Sequence, residues 1–200
     1  YVEDMPPAYG LYTSLATTPS GGLVVIWYDR SAGNLYGAEA SSAGGAFGAP
    51  ILIDGYLAMD PNTGDSGLGN SIFVDAGGTW HVAYVDGAEE TLRYASVSGT
   101  TVSGRTVVDD GATDGTAAHS DGRHVVGDDS SIVVTDAGEV RIVYQDATTQ
   151  HVMLARRGAG GGAWSVEVLD DMNHSGFWVS QRLTGTQSTV VTWWRQQMTV

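Results

Sequence analysis

The stretch GDDSSIVVTDAGEVRIVYQDATTQHVMLAR, residues 127–156, reads as two short strands joined by a turn and followed by a third strand. Its segment Val140-Arg-Ile-Val-Tyr144 carries apolar side chains toward both faces, the pattern of a strand buried on two sides. Asp136-Ala-Gly138 just before it is turn chemistry, where glycine supplies a positive φ without steric cost. Nearly the same phrase occurs four times. A Gly, three residues, a Ser, twelve residues and a Trp or Tyr recur as Gly10–Ser14–Trp27, Gly67–Ser71–Tyr84, Gly127–Ser131–Tyr144 and Gly176–Ser180–Trp193. Both spacings are kept without a gap.

Other landmarks repeat with them. Asp29, Asp86 and Asp146 stand two residues past the aromatic, and Arg195 breaks the series. Each complete unit closes on an apolar residue and an aspartate: Ile53–Asp54, Val108–Asp109 and Leu169–Asp170. The aromatics Trp27, Tyr84, Tyr144 and Trp193 are separated by 57, 60 and 49 residues, a period that fits one supersecondary unit per repeat. In the second unit the pattern predicts strands at Ser71–Val74, Trp80–Asp86, Leu92–Val97 and Arg105–Asp109. No segment shows a helical period with caps.

Four-stranded antiparallel units, each sandwiched between neighbours, define an all-β fold, a β-propeller, of which about three and a half blades are present. A β-sandwich would instead leave one face of most strands polar. The blades are expected at residues 10–54, 67–110 and 127–171, with 176–200 as the first half of a further blade. Residues 1–4 read as the end of a preceding one. The remaining blades are therefore expected from a longer chain or another subunit.

Composition narrows the partners. Nine basic residues, all arginine, face 23 acidic ones, a net charge of −14. That balance argues against nucleic acid and anionic membrane surfaces, which need a basic footprint. Apolar runs are short, so no membrane insertion is expected. The chain has no cysteine, which excludes disulfides and thiolate metal sites. The acidity fits a bacterial protein kept soluble outside the cell, so an extracellular or cell-surface location is expected.

The units resemble repeats of secreted and surface proteins from myxobacteria and related GC-rich bacteria. The carrying residues are Gly127, Ser131-Ile132, Gly138, Tyr144-Gln-Asp146 and Val152 to Ala155, with Leu92-Arg-Tyr-Ala95 in the second blade. The resemblance implies a secreted propeller module without an assigned activity. Phe73-Val-Asp75-Ala-Gly77-Gly-Thr79-Trp80 resembles the Asp-box of sialidase-like propellers, although Phe73 stands where that motif has Ser. It implies a structural turn, not a catalytic residue.

Any site is expected on the face that gathers the inter-blade loops, residues 55–70, 111–127 and 171–176, with Asp29, Asp86 and Asp146 at the adjoining strand ends. Two readings of those aspartates compete: carboxylates folded into Asx turns, or a ring that binds a ligand. His119, His124 and His174 add imidazoles to the same face, and Trp178 is a candidate sugar platform. Trp193, in the aromatic slot of the repeat, is expected in the core, and the repeated serine is expected to cap the corner entering the first strand. Asp60, Asn62 and Asp65 offer oxygen ligands for Ca2+, the one cofactor considered, though the register departs from an EF-type loop. No phosphate loop, nucleophile elbow or His-Glu-x-x-His motif occurs.

Non-identical loops on a regular frame suit recognition. The sequence therefore reads as a non-catalytic binding or scaffold module for a glycan or protein ligand. The alternative is a carbohydrate-active propeller, either a glycosidase or polysaccharide lyase, or a lectin.

Overall fold

A computed structural model of the chain describes residues 8–56, 64–112, 122–172 and 174–197. The regular elements in them are strands, arranged in four separate antiparallel sheets. The first holds β1 (Leu11–Thr17), β2 (Leu23–Asp29), β3 (Asn34–Ala40) and β4 (Ile51–Gly55). The second holds β5 (Ser66–Val74), β6 (Trp80–Asp86), β7 (Thr91–Ser98) and β8 (Thr101–Asp109). The third holds β9 (Val126–Val134), β10 (Val140–Asp146), β11 (His151–Arg157) and β12 (Ser165–Asp170). A pair, β13 (Phe177–Leu183) and β14 (Thr189–Trp194), follows. Sequence neighbours are spatial neighbours in every sheet.

First strands of successive sheets pack on one another, β1 on β5, β5 on β9 and β9 on β13. That places them along a common axis. The chain is a partial β-propeller of three four-stranded blades and a two-stranded one. The expected end of a preceding blade at residues 1–4 lies outside the described residues. β8 starts at Thr101 rather than Arg105, because Ser98 pairs with Thr101 across a two-residue hairpin in which Gly99 takes φ 57°.

Apolar side chains fill the wedges between blades. Ile26, Leu35 and Ile53 meet Trp80, Val82 and Tyr84 in one wedge. Leu92 and Val108 meet Ile132, Ile142 and Tyr144 in the next. Burying each such side chain contributes about 1.5–3 kcal/mol. β6 and β10 each border two wedges, which accounts for their two-sided apolar sequences.

The repeated aromatic bridges each wedge with a hydrogen bond. Tyr84 Oη donates to Asp54 Oδ2 at 2.5 Å and Tyr144 Oη to Asp109 Oδ2 at 2.5 Å. Burial, and then the facing carboxylate, push both phenols well above their ordinary pKa, so they remain donors. Trp193 Nε1 makes the equivalent bond to Asp170 Oδ2 at 3.0 Å. The sequence places Trp193 in the core, yet it stays 38% exposed, because β14 is the outermost described strand of its sheet.

The repeated glycine answers to backbone and space together. Gly10, Gly67, Gly127 and Gly176 have φ of 78°, 120°, 107° and 88°. A Cβ on Gly127 would sit 2.9 Å from Val85 Cγ2 and 3.2 Å from Leu92 Cα of the preceding blade. The repeated serine differs from the corner cap expected of it. It lies within the first strand and bonds to the next blade: Ser14 Oγ donates to Asn70 O at 2.8 Å, and Ser131 Oγ accepts from Gln181 N at 3.0 Å.

Candidate functional site

The described ends of the inter-blade connections and the β2–β3, β6–β7 and β10–β11 turns share one end of the molecule. Ser66 N donates to Gly33 O at 3.1 Å, Val126 N to Glu90 O at 3.3 Å and Ser175 N to Gln150 O at 2.9 Å. Asp29, Asp86 and Asp146 lie here and are buried. Their Oδ1 atoms accept turn amides: Ser31 N at 2.9 Å, Ala88 N at 3.1 Å and Thr148 N at 2.9 Å. The second oxygen of Asp86 meets Arg93 Nη1 at 3.0 Å, and that of Asp146 meets His124 Nδ1. These carboxylates stand in separate blades with turn-forming contacts.

The other expected residues also separate. His124 is buried. His174 pairs through Nδ1 with Gln150 Oε1 at 2.5 Å. Asp65 accepts the Tyr28 hydroxyl. His119, Asp60 and Asn62 lie outside the described residues. Among the described residues no group of three or more His, Asp or Glu is placed to hold a metal. Of the expected residues that are described, Asp86 borders a recess of about 320 Å³ with Arg93 and Arg123, and Trp178 opens onto another with 70% exposure.

The recess at Trp178 is built by a second regularity. Two residues after each repeated glycine stand Tyr12, Gly69, Asp129 and Trp178, with φ of 49°, 52°, 50° and 50°. Pairing within each blade shifts register around these positions. Every axial strand therefore carries a bulge at the same place, a device that re-aims side chains locally. Adjacent bulges touch, since Trp178 N donates to Asp129 Oδ2 at 2.8 Å.

Two adjoining recesses of about 480 and 300 Å³ share Tyr12, Gly69 and Asp129 in their walls. The larger adds Glu90, Asp128 and Phe177; the smaller adds Ser14, Asn70, Ser130 and Trp178. Consecutive strand residues ordinarily point to opposite faces; the bulge puts Asp128 and Asp129 on the same cleft. Asp128 is open to the solvent that fills the recess, yet the surrounding walls, and then the Asp129 charge, raise its carboxyl above the ordinary value. The cleft thus offers aromatic faces, one carboxyl held toward its protonated form and a neighbouring carboxylate. Sequence reasoning named Trp178 as a candidate and did not name Tyr12, Asp128 or Asp129. The fixed two-residue offset from the glycine was the available signal.

A propeller with a carboxylate-lined axial cleft is the class that fold and site define. No protein-family model matches the sequence, and no curated protein matches it. Solved structures do. The chain is similar to a bifunctional GH43-CE protein of Bacteroides eggerthii at 13% identity and TM-score 0.53, covering 87% of this chain and 21% of that one. It is similar to an exo-β-1,3-galactanase of Phanerochaete chrysosporium at 11% identity and TM-score 0.58, covering 94% and 46%. A GH43 β-1,3-galactosidase solved with galactodeoxynojirimycin is similar at 12% identity and TM-score 0.55, covering 94% and 72%. The chain spans about a fifth of the first and under half of the second. At this identity the likeness is one of fold.

Proposed function

We propose that the chain belongs to a carbohydrate-active β-propeller that takes a sugar unit in its axial cleft and cleaves the glycosidic bond. This reading replaces the non-catalytic scaffold as the better supported one. The observation that carries it is the Asp128–Asp129 pair beside Tyr12 and Trp178. Glycoside cleavage needs one carboxyl that is protonated at working pH and one that is ionised, with environments that separate their pKa values. Asp128, desolvated by its walls and repelled by Asp129, has the character of the acid that protonates the leaving oxygen. Asp129, bonded to Trp178 N, stands beside it in the same cleft as the second carboxyl group. Aromatic rings supply apolar faces for a sugar. The fold likeness to the galactanase and galactosidase supports the same substrate class.

The test incubates the full natural polypeptide with β-1,3-galactan, arabinan and xylan and follows new reducing ends. Release is expected from at least one polymer, with Asp128→Asn lowering kcat about 10²–10⁴-fold while KM holds. Full activity in Asp128→Asn, or no cleavage of any polymer, would overturn the assignment of hydrolysis.

A further inference from the structure

The hydrogen-bonding character of the cleft is lopsided. Thr13 Oγ1 donates to Gly10 O at 2.7 Å, Ser14 Oγ to Asn70 O at 2.8 Å and Ser130 Oγ to Gly69 O at 2.8 Å. The hydroxyl protons of Thr13, Ser14 and Ser130 in the smaller recess are thereby committed within the protein. Gln145 in the larger recess likewise directs Nε2 at Ser175 O, 2.6 Å away. The neutral donors left are the Tyr12 hydroxyl and the Trp178 indole, while the charged side chains of both walls are acceptors. Asp129 and Glu90 bring carboxylates, and among the described residues no Arg or His lines either recess.

Asn70 makes the imbalance specific. Its Nδ2 donates to Gly67 O at 2.8 Å, which fixes the orientation of the amide. Its Oδ1 has no hydrogen-bond partner, although the residue is only 7% exposed and lines the smaller recess. A buried acceptor left unpaired costs about 1–3 kcal/mol, and this one adds negative potential behind the wall of the recess. Beside it stand Asp129 and the exposed rings of Tyr12 and Trp178. Carboxylate and aromatic faces together are a setting for a cation.

We infer that the axial cleft prefers an amine-bearing sugar, its ammonium seated at Asp129 and facing Trp178. This deepens the proposed function and rests on it. An ammonium brings three donors and no acceptor, matching a wall of acceptors. An N-acetylated sugar brings one N–H and a carbonyl turned toward carboxylates. A uronic acid brings like charge. The net charge of −14 adds long-range attraction for a cationic glycan.

The experiment titrates the natural polypeptide calorimetrically with glucosamine oligomers, their N-acetylated counterparts, neutral β-1,3-galacto-oligosaccharides and oligogalacturonate. The glucosamine series is expected to bind about tenfold more tightly than the N-acetylated series, with the preference shrinking as salt is added. Asp129→Asn should erase that preference. Glu90→Gln, which leaves the Trp178 N contact untouched, should reduce it if Asp129→Asn fails to fold. Neutral or N-acetylated oligomers binding as tightly as the glucosamine series would overturn the amine preference and leave the carbohydrate reading standing. Binding of no saccharide at all would sink both.

Discussion

Gly127 shows how one residue type can answer two demands at once. Its φ of 107° excludes ordinary side chains, and its hydrogen occupies space that a Cβ would contest with Val85 and Leu92. Gly78 has a similar backbone, φ 82°, but open space around it. Left-handed backbone costs a non-glycine residue about 1–2 kcal/mol, and overpacking a tight contact adds about 1–3 kcal/mol. Gly127→Ala is therefore expected to lower unfolding free energy by about 3 kcal/mol and Gly78→Ala by about 1 kcal/mol, both read from urea transitions. Equal losses would show that the approach of Leu92 contributes nothing. Part of this scale was legible in sequence: the glycine's spacing marked an obligatory backbone position. Beyond Trp178 the cleft residues were not, because Tyr12, Gly69, Asp129 and Trp178 share a conformation and no side chain. The surroundings of His124 were not legible either. A loop histidine is usually exposed, but this one is sheltered by Asp146, a partner 22 positions away that only the folded blade brings close.

Blades are joined by the same bond made with different donors. Tyr84 and Tyr144 reach the closing aspartate of the previous blade, and Trp193 does so through its indole N–H. The sequence columns already held both partners, an aromatic in one unit and an apolar–Asp end in the one before. Their meeting was not legible, since repeats show what recurs and not which copies touch. Strand ends were missed where hydrogen bonding outran hydrophobic pattern: β5 extends back to Ser66 through a bulge that breaks the period of two. The bond itself is measurable. Tyr144→Phe keeps the ring in its wedge and removes the hydroxyl, leaving Asp109 Oδ2 without that donor in a buried site. Such a loss costs about 1–3 kcal/mol. Tyr144→Ala also opens a cavity and is expected to cost about 3–5 kcal/mol. A Tyr144→Phe variant as stable as the wild type would mean that the wedge is held by apolar burial alone.

Across the whole molecule, charge and architecture oppose each other. Fourteen uncompensated negative charges are held together by a fold whose blades touch mainly through apolar wedges and buried polar bonds. Two like charges 10 Å apart in water repel by about 0.4 kcal/mol, so many such pairs amount to a cost of several kcal/mol at low ionic strength. Exposed ion pairs work the other way: Arg156–Glu167 at 2.8 Å and Arg123–Glu89 at 3.6 Å, each worth about 0–1 kcal/mol. With nine arginines against 23 carboxylates, repulsion outweighs these contacts, and salt screens both. The buried pairs of Arg93 with Asp54 and Asp86, at 3.3 and 3.0 Å, lie out of reach of counterions and are screened far less. Raising NaCl from about 10 mM to about 150 mM, which shortens the Debye length from about 30 to about 8 Å, should therefore move the urea midpoint upward with an unchanged slope. Potassium fluoride at the same ionic strength should do likewise, since screening depends on charge and not on the ion. A midpoint that falls with salt would mean that the surface pairs, few as they are, contribute more than the repulsion around them.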